Sequence, residues 1–370
     1  MCTEFILPKS TGFYISGRTM DFKQIFNWQL ASIPVGTDLK AVPTLFSGRH
    51  ALEWQAKYGF LGVGAKFAFS LFDKKVTDAM NTEGFSAAAL WLPGSVYPTP
   101  KDAPTEAKLV SALDICSWAV SNYRTVADLK ADLSQIQQGK PIATGEQIGF
   151  WDPLQFGAEL TFNQEVTNLA PLHFQFHDKH GDSLVLEFRN GKLELTDNSD
   201  LGVMTNAPFI DWQRANLQNY LGVTNTQEKT KNILGLTVSS AGNGSGTIGL
   251  SSSPLPADRF VRTVMNLDFS QKWLQAQSGD ANAAISHVMN VIAAVTVLHG
   301  QCIDHAGDTT GDFTQWRVVR DHAQQKLYFA TAGSFGYWAI NFKDFKLSAG
   351  AQPAFVLLSD AVDMPVLTAG

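Results

Sequence analysis

The sequence predicts an α+β fold in which sheets and helices form separate layers of one domain. The chain has 370 residues, of which 45% are hydrophobic and only 17% are charged, so it can bury a large core. Blocks of strand-like and helical segments alternate along it, which favours segregated layers over regular βαβ alternation. No internal repeat is visible. We therefore expect a single domain over residues 1–370, with the Gly-, Ser- and Pro-rich segment 239–256 as a flexible surface loop.

Short segments rich in β-forming residues and bounded by Gly, Pro or Asp predict the strands. They cover residues 3–7, 12–16, 27–32, 85–92, 172–177, 183–188, 192–195, 315–320, 326–330 and 337–341. The clearest local signal is the turn Arg189-Asn190-Gly191. Asn-Gly tolerates the positive φ angles of a tight hairpin, so this turn predicts that the segments on either side of it pair.

Apolar residues that recur every three or four positions predict helices over 106–123, 125–136, 209–221, 258–267 and 281–298. The last helix holds the longest apolar run, which Ser286, His287 and Asn290 interrupt. This run is shorter than the roughly 20 residues that cross a bilayer, so it predicts a buried helix.

The net charge and the N-terminal residues indicate which binding partners and which cellular compartment to expect. A net charge of −6 and a pI of about 5.7 provide no domain-wide basic surface, so no nucleic-acid partner is expected. Only Phe5-Ile6-Leu7 is apolar before Pro8 and Lys9, which is too short for a secretory signal. The expectation is a cytoplasmic protein as written, or a periplasmic one if a natural signal peptide was trimmed, with no membrane partner.

No cofactor and no metal are expected. The glycine spacing of the dinucleotide-binding fingerprint occurs in Gly244-Ser245-Gly246-Thr247-Ile248-Gly249. A Ser- and Pro-rich loop follows this segment, however, where the fingerprint requires a helix. His173 and His177 would share one face of a strand, yet no carboxylate or cysteine in the sequence completes a metal set. Three scattered cysteines are too few for a disulfide scaffold or a zinc site.

One of the three cysteines is at position 2. If Met1 is removed, which a small second residue permits, Cys2 carries a thiol nucleophile and a free α-amine base on one residue. Their reference pKa values, about 8.5 and about 8, make both groups usable near neutral pH. The alternative is that a cysteine at this position is coincidental.

Six segments occur in the order known from one enzyme family and span nearly the whole chain. They are Cys2-Thr3 with Gly17-Arg18-Thr19-Met20-Asp21-Phe22; Met80-Asn81-Thr82-Glu83-Gly84-Phe85; Pro171-Leu172-His173 with Gly181-Asp182-Ser183; Val203-Met204-Thr205-Asn206-Ala207-Pro208 with Asp211-Trp212; Asp258-Arg259-Phe260-Val261-Arg262; and Thr314-Gln315-Trp316. Together they resemble the choloylglycine hydrolase family of N-terminal nucleophile hydrolases, which contains penicillin V acylases and bile salt hydrolases. The resemblance implies a four-layer αββα sandwich with two stacked antiparallel sheets, and a homotetramer.

The resemblance also implies the nucleophile and its neighbours. Cys2 would attack the amide carbonyl as a thiolate while its α-amine relays the proton, giving a thioester that water hydrolyses. Arg18, on the neighbouring strand, would favour the thiolate, and Asp21 would hold the α-amine. The alternative for Arg18 and Asp21 is a structural ion pair.

The tetrahedral intermediate carries an oxyanion, which requires preorganised donors. The resemblance assigns these to the side chain of Asn206 and the backbone N–H of Asn81, and it adds Arg259 to the polar site. The alternative for the segment around Asn206 is a simple turn that starts a helix.

Aromatic residues and two motif variants bear on the substrate. Phe22, Phe85 and Trp91 are candidates to line an apolar acyl pocket, and core residues otherwise. The segment 251–257 resembles penicillin V acylases of Gram-negative bacteria, some of which also cleave N-acyl homoserine lactones, whereas Asn81 is common among bile salt hydrolases. We expect a penicillin V or N-acyl homoserine lactone acylase, with a conjugated bile salt hydrolase as the alternative. A non-catalytic relative that binds an amphipathic ligand is disfavoured because the four residues Cys2, Arg18, Asp21 and Asn206 are all present.

Overall fold

The computed structural model describes residues 1–42, 49–66, 74–152, 170–227, 229–303, 305–334 and 336–358. Strands dominate this part of the chain. In chain order they are β1 (Cys2–Ile6), β2 (Ile15–Phe22), β3 (Trp28–Ile33), β4 (Asp38–Lys40), β5 (Glu53–Gln55), β6 (Phe60–Ala65), β7 (Asp78–Asn81), β8 (Ser86–Trp91), β9 (Lys108–Ser111), β10 (Ile148–Trp151), β11 (Leu172–His177), β12 (Ser183–Arg189), β13 (Lys192–Asp197), β14 (Val203–Met204), β15 (Thr230–Ile233), β16 (Leu236–Ser239), β17 (Cys302–Ile303), β18 (Gly311–Asp321), β19 (Lys326–Thr331), β20 (Trp338–Asn341) and β21 (Ala354–Leu357).

The first sheet contains the N-terminal strand in its interior. Its order is β14-β1-β2-β18-β19-β20, with β17 paired to β18, and all of its pairings are antiparallel. The register sets Cys2 opposite Met20 and Glu4 opposite Arg18. Cys2 therefore begins a strand that has a neighbour on each side, rather than an exposed edge.

The second sheet has the order β13-β12-β11-β8-β7-β6-β3-β21 and is also antiparallel throughout. The hairpin between β12 and β13 turns at Asn190 and Gly191, whose φ angles are 52° and 74°. These positive angles confirm the hairpin that Asn-Gly predicted.

The described residues contain five α-helices, four of which pack on the two sheets. They are α1 (Ile115–Asn122), α2 (Val126–Gln137), α3 (Ile210–Asn216), α4 (Pro256–Ala276) and α5 (Ala281–Val295). The pair α1 and α2 packs on the second sheet, and the pair α4 and α5 packs on the first. The result confirms the αββα sandwich that the family resemblance implied.

Gly17 explains how closely α5 approaches the first sheet. A Cβ at this position would lie 2.7 Å from Cγ1 of Val288 and 2.8 Å from the ring of Phe5. Any larger residue would therefore push the helix away from β2. The glycine of the Gly17-Arg18 motif thus has a packing role, one residue from a predicted site residue.

Two predicted elements differ from the structure. The helix predicted over 106–123 begins only at Ile115, because Lys108–Ser111 pairs in parallel with β10 and forms a strand. This partner lies about forty residues away in the chain, so local periodicity does not reveal it. The strand predicted over 12–16 is instead β2, which runs from Ile15 through the Gly17-Arg18 motif to Phe22.

Three further expectations concern the chain as a whole. The segment 239–256 is largely exposed and contains a short 3₁₀ turn at Ser245–Thr247; its flexibility and the single-domain organisation stay predictions. In the part of the chain that the structure describes, no helix combines the length and apolar character required to span a membrane.

Candidate active site

Cys2 lies at the wall of a cavity between the two sheets. The cavity has a volume of about 540 Å³, and its lining is mostly apolar. The Cys2 side chain is buried, and its Sγ lies 3.5 Å from Sδ of Met20 on the neighbouring strand. The aromatic side chains of Phe22, Phe26, Trp28 and Trp91 form one region of the cavity lining. A thiol therefore faces a space suited to an apolar acyl group.

The register of β1 explains why Asn206 lies beside Cys2. Strand β14 pairs antiparallel with β1, with Met204 opposite Glu4. Continuing this register by two residues puts Asn206 opposite Cys2. The amide nitrogen of Cys2 accordingly donates a hydrogen bond of 2.6 Å to Oδ1 of Asn206.

Buried contacts hold the segment that carries Asn206. Nε2 of His173 lies 2.9 Å from the carbonyl oxygen of Thr205, and its Nδ1 lies 3.2 Å from Oε1 of Glu187. Glu187 also accepts a hydrogen bond of 3.1 Å from the backbone N–H of Ile210, at the start of α3. His173 and Glu187 thus hold the backbone before and after Asn206 in place.

Arg259 projects from the first turns of α4 into the same site. Its Nη1 donates a 2.6 Å hydrogen bond to the carbonyl oxygen of Cys2, and its Nη2 donates a 2.8 Å bond to Oδ1 of Asn206. The side chain is fully buried, and burial lowers the pKa of Arg259, while the nearby Asp21 and Cys2 oppose that shift.

Asp21 lies between Arg259 and the N-terminus. Two hydroxyl groups donate to its carboxylate, Thr19 at 3.0 Å and Thr314 at 2.5 Å, and a guanidinium nitrogen of Arg259 lies 3.7 Å away. Burial raises the pKa of Asp21, and the Arg259 charge opposes this. The backbone of Asp21 exchanges hydrogen bonds with Met1, which precedes Cys2 in the structure. Asp21 is therefore fixed beside the start of the chain.

Met20 lies between Arg18 and Cys2. Its Nη1 bonds the Asp78 carboxylate at 3.0 Å and the Thr77 carbonyl at 2.6 Å, and its Nη2 bonds the Ala89 carbonyl at 2.5 Å. Nη2 also lies 3.9 Å from Sδ of Met20, the atom that contacts the Cys2 thiol. Although burial lowers the pKa of Arg18, Asp78, Cys2 and Glu4 outweigh it, so the net shift is upward.

Asn81 is not brought to this site, which corrects the prediction that its backbone N–H is an oxyanion donor. That N–H donates to the carbonyl oxygen of Phe85 at 2.9 Å, within the turn between β7 and β8. The Asn81 side chain is buried and donates to the carbonyl oxygens of Val120 and Tyr123, at 2.8 and 2.7 Å. Asn81 thus ties a turn to the end of α1.

Of the three predicted pocket residues, two line the cavity and one does not. Phe22 and Trp91 line the cavity with Cys2, and their ring centroids are 5.5 Å apart. Phe85 packs in the core cluster between the second sheet and α1, where its ring stacks on Phe176 at 6.1 Å, so its assignment to the pocket is corrected.

The sequence reasoning assigned no role to several residues at this site. Met20 and Thr314 lie inside segments that carry the family resemblance, and Phe26 and Trp28 follow the first of these closely. Met20 lies opposite Cys2 across the strand pair, so strand alternation from Arg18, which the sequence already places on the strand neighbouring Cys2, would have pointed to it. No comparable signal links Thr314 to Asp21, because β18 lies almost three hundred residues later.

Among the described residues no group of three or more His, Cys, Asp or Glu side chains is arranged to hold a metal ion. His173 and His177 do share a face and are both buried. Each lies 3.2 Å from one carboxylate, Glu187 and Glu4 respectively. These contacts suit structural histidines.

The family follows from comparison with known proteins. The sequence profile of "Linear amide C-N hydrolases, choloylglycine hydrolase family" matches residues 2–355. The chain belongs to the choloylglycine hydrolase family. It is accordingly a hydrolase that acts on linear amide C–N bonds.

Two enzymes with similar sequences match most of the chain. A bile salt hydrolase/transferase of Clostridium perfringens is 28% identical over 271 residues, which cover 72% of each chain. A penicillin V acylase of Pectobacterium atrosepticum is 26% identical over 355 residues, covering 92% of this chain and 81% of the relative.

Solved structures of the family share the fold. A variant of the conjugated bile acid hydrolase from Clostridium perfringens superposes with a TM-score of 0.78 at 24% identity, over the full length of both chains. The penicillin V acylase from Agrobacterium tumefaciens gives a TM-score of 0.70 at 23% identity, covering 96% of this chain and 90% of that one.

Proposed function

We propose that the protein is an N-acyl amide hydrolase whose nucleophile is the thiol of Cys2 and whose base is the α-amine that Cys2 gains when Met1 is removed. The observation that carries this proposal is the position of Cys2, with its thiol at an apolar cavity and its backbone between Asn206 and Arg259. Loss of Met1 turns the nitrogen that now bonds Oδ1 of Asn206 into an amine already held by that oxygen.

In the first half-reaction, Sγ of Cys2 forms a bond to the acyl carbonyl carbon while the thiol proton passes to the α-amine. The tetrahedral intermediate collapses as the C–N bond breaks, and the proton on the α-amine moves to the leaving nitrogen. The products are a free amine and a thioester on Cys2. In the second half-reaction the α-amine takes a proton from water, whose oxygen attacks the thioester, releasing a carboxylic acid and restoring the thiol.

Asn206 is the proposed side-chain donor to the oxyanion. Its Nδ2 donates a 2.6 Å hydrogen bond to the carbonyl oxygen of Trp91, which lines the cavity with Cys2. The amide group therefore lies across the end of β8, where a substrate carbonyl beside the thiol would reach it.

We assign the second donor to the backbone N–H of Trp91, in place of Asn81. The Leu92 N–H donates to Pro171, so the alternation of an antiparallel ladder turns the Trp91 N–H away from β11. On the side toward β7, the last backbone bond within the described residues is from Ala89 to Thr77. The N–H of Trp91 thus points to the gap beyond that bond, next to Asn206.

The cavity supports an apolar acyl group, aromatic or aliphatic. Of its described lining residues Lys75 is the charged one, and its ammonium group is already paired with Asp114 and the carbonyl oxygen of Lys40. The stem of Lys75 therefore lines the cavity, while its charge is used elsewhere. A phenoxyacetyl group or a fatty acyl chain suits this lining, which favours penicillin V or an N-acyl homoserine lactone as the substrate class.

A substrate panel tests the proposal. It comprises penicillin V, N-acyl homoserine lactones of several chain lengths, and glycine- and taurine-conjugated bile acids, with release of free amine as the readout. Hydrolysis of the first two classes is expected. Hydrolysis of the bile acid conjugates alone supports the alternative, a conjugated bile salt hydrolase. Ligand binding without any hydrolysis by protein that begins at Cys2 supports a non-catalytic relative.

A further inference from the structure

Four charged side chains contact one another between the two sheets, beside Cys2 and about two residues further along its strand. We call this the inter-sheet charge cluster: Glu4, Arg18, Asp78 and Arg320. All four are almost fully buried. Glu4 lies two residues after Cys2, on the same face of β1, and Arg18 lies opposite Glu4 in β2. The cluster and the nucleophile thus share one strand and one face.

Arg320 connects the two carboxylates. Its Nη1 and Nη2 donate to the two oxygens of Glu4 at 2.9 and 3.1 Å, and its Nε donates to Oδ1 of Asp78 at 3.1 Å. Nη2 also contacts Oδ2 of Asp78, the same oxygen that Arg18 binds through Nη1 at 3.0 Å. Asp78 is therefore held between the guanidinium groups of Arg18 and Arg320. Glu4 in turn binds the guanidinium group of Arg320.

The cluster contains two positive and two negative groups, so its formal charge is zero. Such balance is required because an unpaired buried charge is costly. Balance alone does not explain why charges are present, since apolar side chains of similar size often stabilise a core equally well. The chain of contacts offers a reason, because it runs from Glu4 through Arg320 and Asp78 to Arg18, and from Arg18 to Met20, whose Sδ contacts the thiol of Cys2.

Other ionisable groups face the cluster or the nucleophile. Nε2 of His177 lies 3.2 Å from Glu4, and Sγ of Cys116 lies 3.8 Å from the Thr77 carbonyl that Arg18 also binds. His322 lies between the Ser16 hydroxyl and the Gly84 carbonyl, and burial lowers its pKa to about 3, which keeps it neutral.

On the side away from the cluster, the groups near Cys2 are Arg259, Asp21, the N-terminal amine, and the half-buried pair Asp312 and Cys302. None of these groups contacts Arg320 in the described part of the chain.

We propose that Arg320 and Glu4 are positioning residues for the amide hydrolysis: through Asp78 they hold the Arg18 guanidinium against Met20 and so determine the electrostatic field at the Cys2 thiol. The inference rests on the proposed function in naming the reaction, but it concerns residues that touch no substrate.

Opposite charge changes provide the test. Glu4→Gln leaves the cluster with a charge of +1, and Arg320→Gln leaves it with −1. A positive charge favours a thiolate and a negative charge disfavours it, so the two variants are expected to move the pH midpoint of Cys2 alkylation in opposite directions, down for Glu4→Gln and up for Arg320→Gln. The expected size is about 0.3–1 pH unit, as for one charge acting through a polar protein interior. The double variant is neutral and should return toward the wild-type midpoint.

Alkylation by iodoacetamide, read by mass spectrometry on the peptide that begins at Cys2, measures this midpoint without any substrate. Arg317→Gln is the matched control: it removes one positive charge from the same strand, but Arg317 lies on the opposite face, where it bonds the Thr331 carbonyl. Its midpoint should equal that of the wild type. Shifts of the two cluster variants in the same direction, or no shift in folded protein, would overturn the proposal.

Arg320→Lys covers the case in which a neutral variant does not fold. It keeps the charge but cannot make paired contacts with both carboxylates, so Arg18 is held less firmly against Met20. The alkylation midpoint should therefore rise, by less than in Arg320→Gln, and kcat should fall at least about fivefold with little change in KM. An unchanged kcat for this variant would also overturn the proposal. If wild-type protein alkylates as described but hydrolyses no amide, the proposed function fails while the charge pattern is still tested.

Discussion

The side-chain oxygen of Asn206 lies 2.6 Å from the amide nitrogen of Cys2, although 203 residues separate the two in the chain. The same oxygen accepts a 2.8 Å hydrogen bond from Arg259. One acceptor thus binds the nitrogen that would become the N-terminal amine and the guanidinium that binds the Cys2 carbonyl.

This relationship predicts that active protein begins at Cys2. With Met1 attached, the nitrogen is an amide without basicity, so it cannot relay the thiol proton. Intact-mass measurement of active enzyme should show loss of one methionine. Full activity in a preparation whose entire population retains Met1 would contradict the mechanism.

Cys2→Ser should lose turnover by roughly 10³-fold or more while the far-UV circular dichroism spectrum is retained, because the change removes the thiolate but little volume. Cys302→Ser is the control, since this cysteine is half-buried and outside the cavity, and its activity should match the wild type. Appreciable amide cleavage by the Cys2 variant would point to another nucleophile.

Asn206→Ala and Asn81→Ala should have contrasting effects. Loss of the Asn206 amide removes a proposed oxyanion donor, so kcat should fall about 10²–10³-fold. Loss of the Asn81 side chain leaves the buried carbonyls of Val120 and Tyr123 without their donor, so the free energy of unfolding should fall by about 2–4 kcal/mol.

Kinetics and chemical denaturation of both variants measure these two effects. A kcat for folded Asn81→Ala reduced as strongly as that of Asn206→Ala would restore Asn81 to the catalytic machinery.

The burial of His322 should make the free energy of unfolding depend on pH. Its pKa is about 3 in the folded protein because of burial, and about 6.5 when unfolded, so below pH 6.5 the unfolded chain binds a proton that the folded protein does not. Stability should therefore fall as the pH decreases from about 6.5 toward 3, by up to about 1.4 kcal/mol per pH unit from this residue.

His322→Gln should flatten that slope in denaturation curves measured between pH 6.5 and 4. His180→Gln, at an exposed position, should leave the slope unchanged. Equal slopes for wild type and His322→Gln would exclude His322 as the source.

The homotetramer implied by the family resemblance stays a prediction. We expect the exposed hairpin of β15 and β16 to form part of the subunit interface. Ile233 and Leu236 on this hairpin are 49% and 67% exposed, which is unfavourable in an isolated chain. Light scattering coupled to size exclusion should give four times the chain mass. Ile233→Lys with Leu236→Lys should shift the mass downward, whereas Lys231→Glu, at a polar position of the same hairpin, should shift it less.

Part of the site was accessible from the sequence, through local strand patterns and through the order of the family motifs. The Cys2-Thr3 and Gly17-to-Phe22 segments predict a strand pair that carries Cys2, Arg18 and Asp21, and the structure contains it. Asn206 and Arg259 were named from motif order, and both lie within hydrogen-bonding distance of the Cys2 backbone. The assignment of Asn81 and Phe85 failed because a motif match does not say which way a turn residue faces.

The sequence by itself determined the segregation of strands and helices into layers and the Asn190-Gly191 hairpin, because periodicity and turn chemistry act within a few residues. The residues expected around Cys2 were named from the family resemblance. Only the tertiary structure decided that Lys108–Ser111 is a strand, that Thr314 bonds Asp21, and that Arg320 joins Glu4 to Asp78. These contacts connect segments up to about three hundred residues apart. Their geometry follows from sheet order and stacking, which no local pattern specifies.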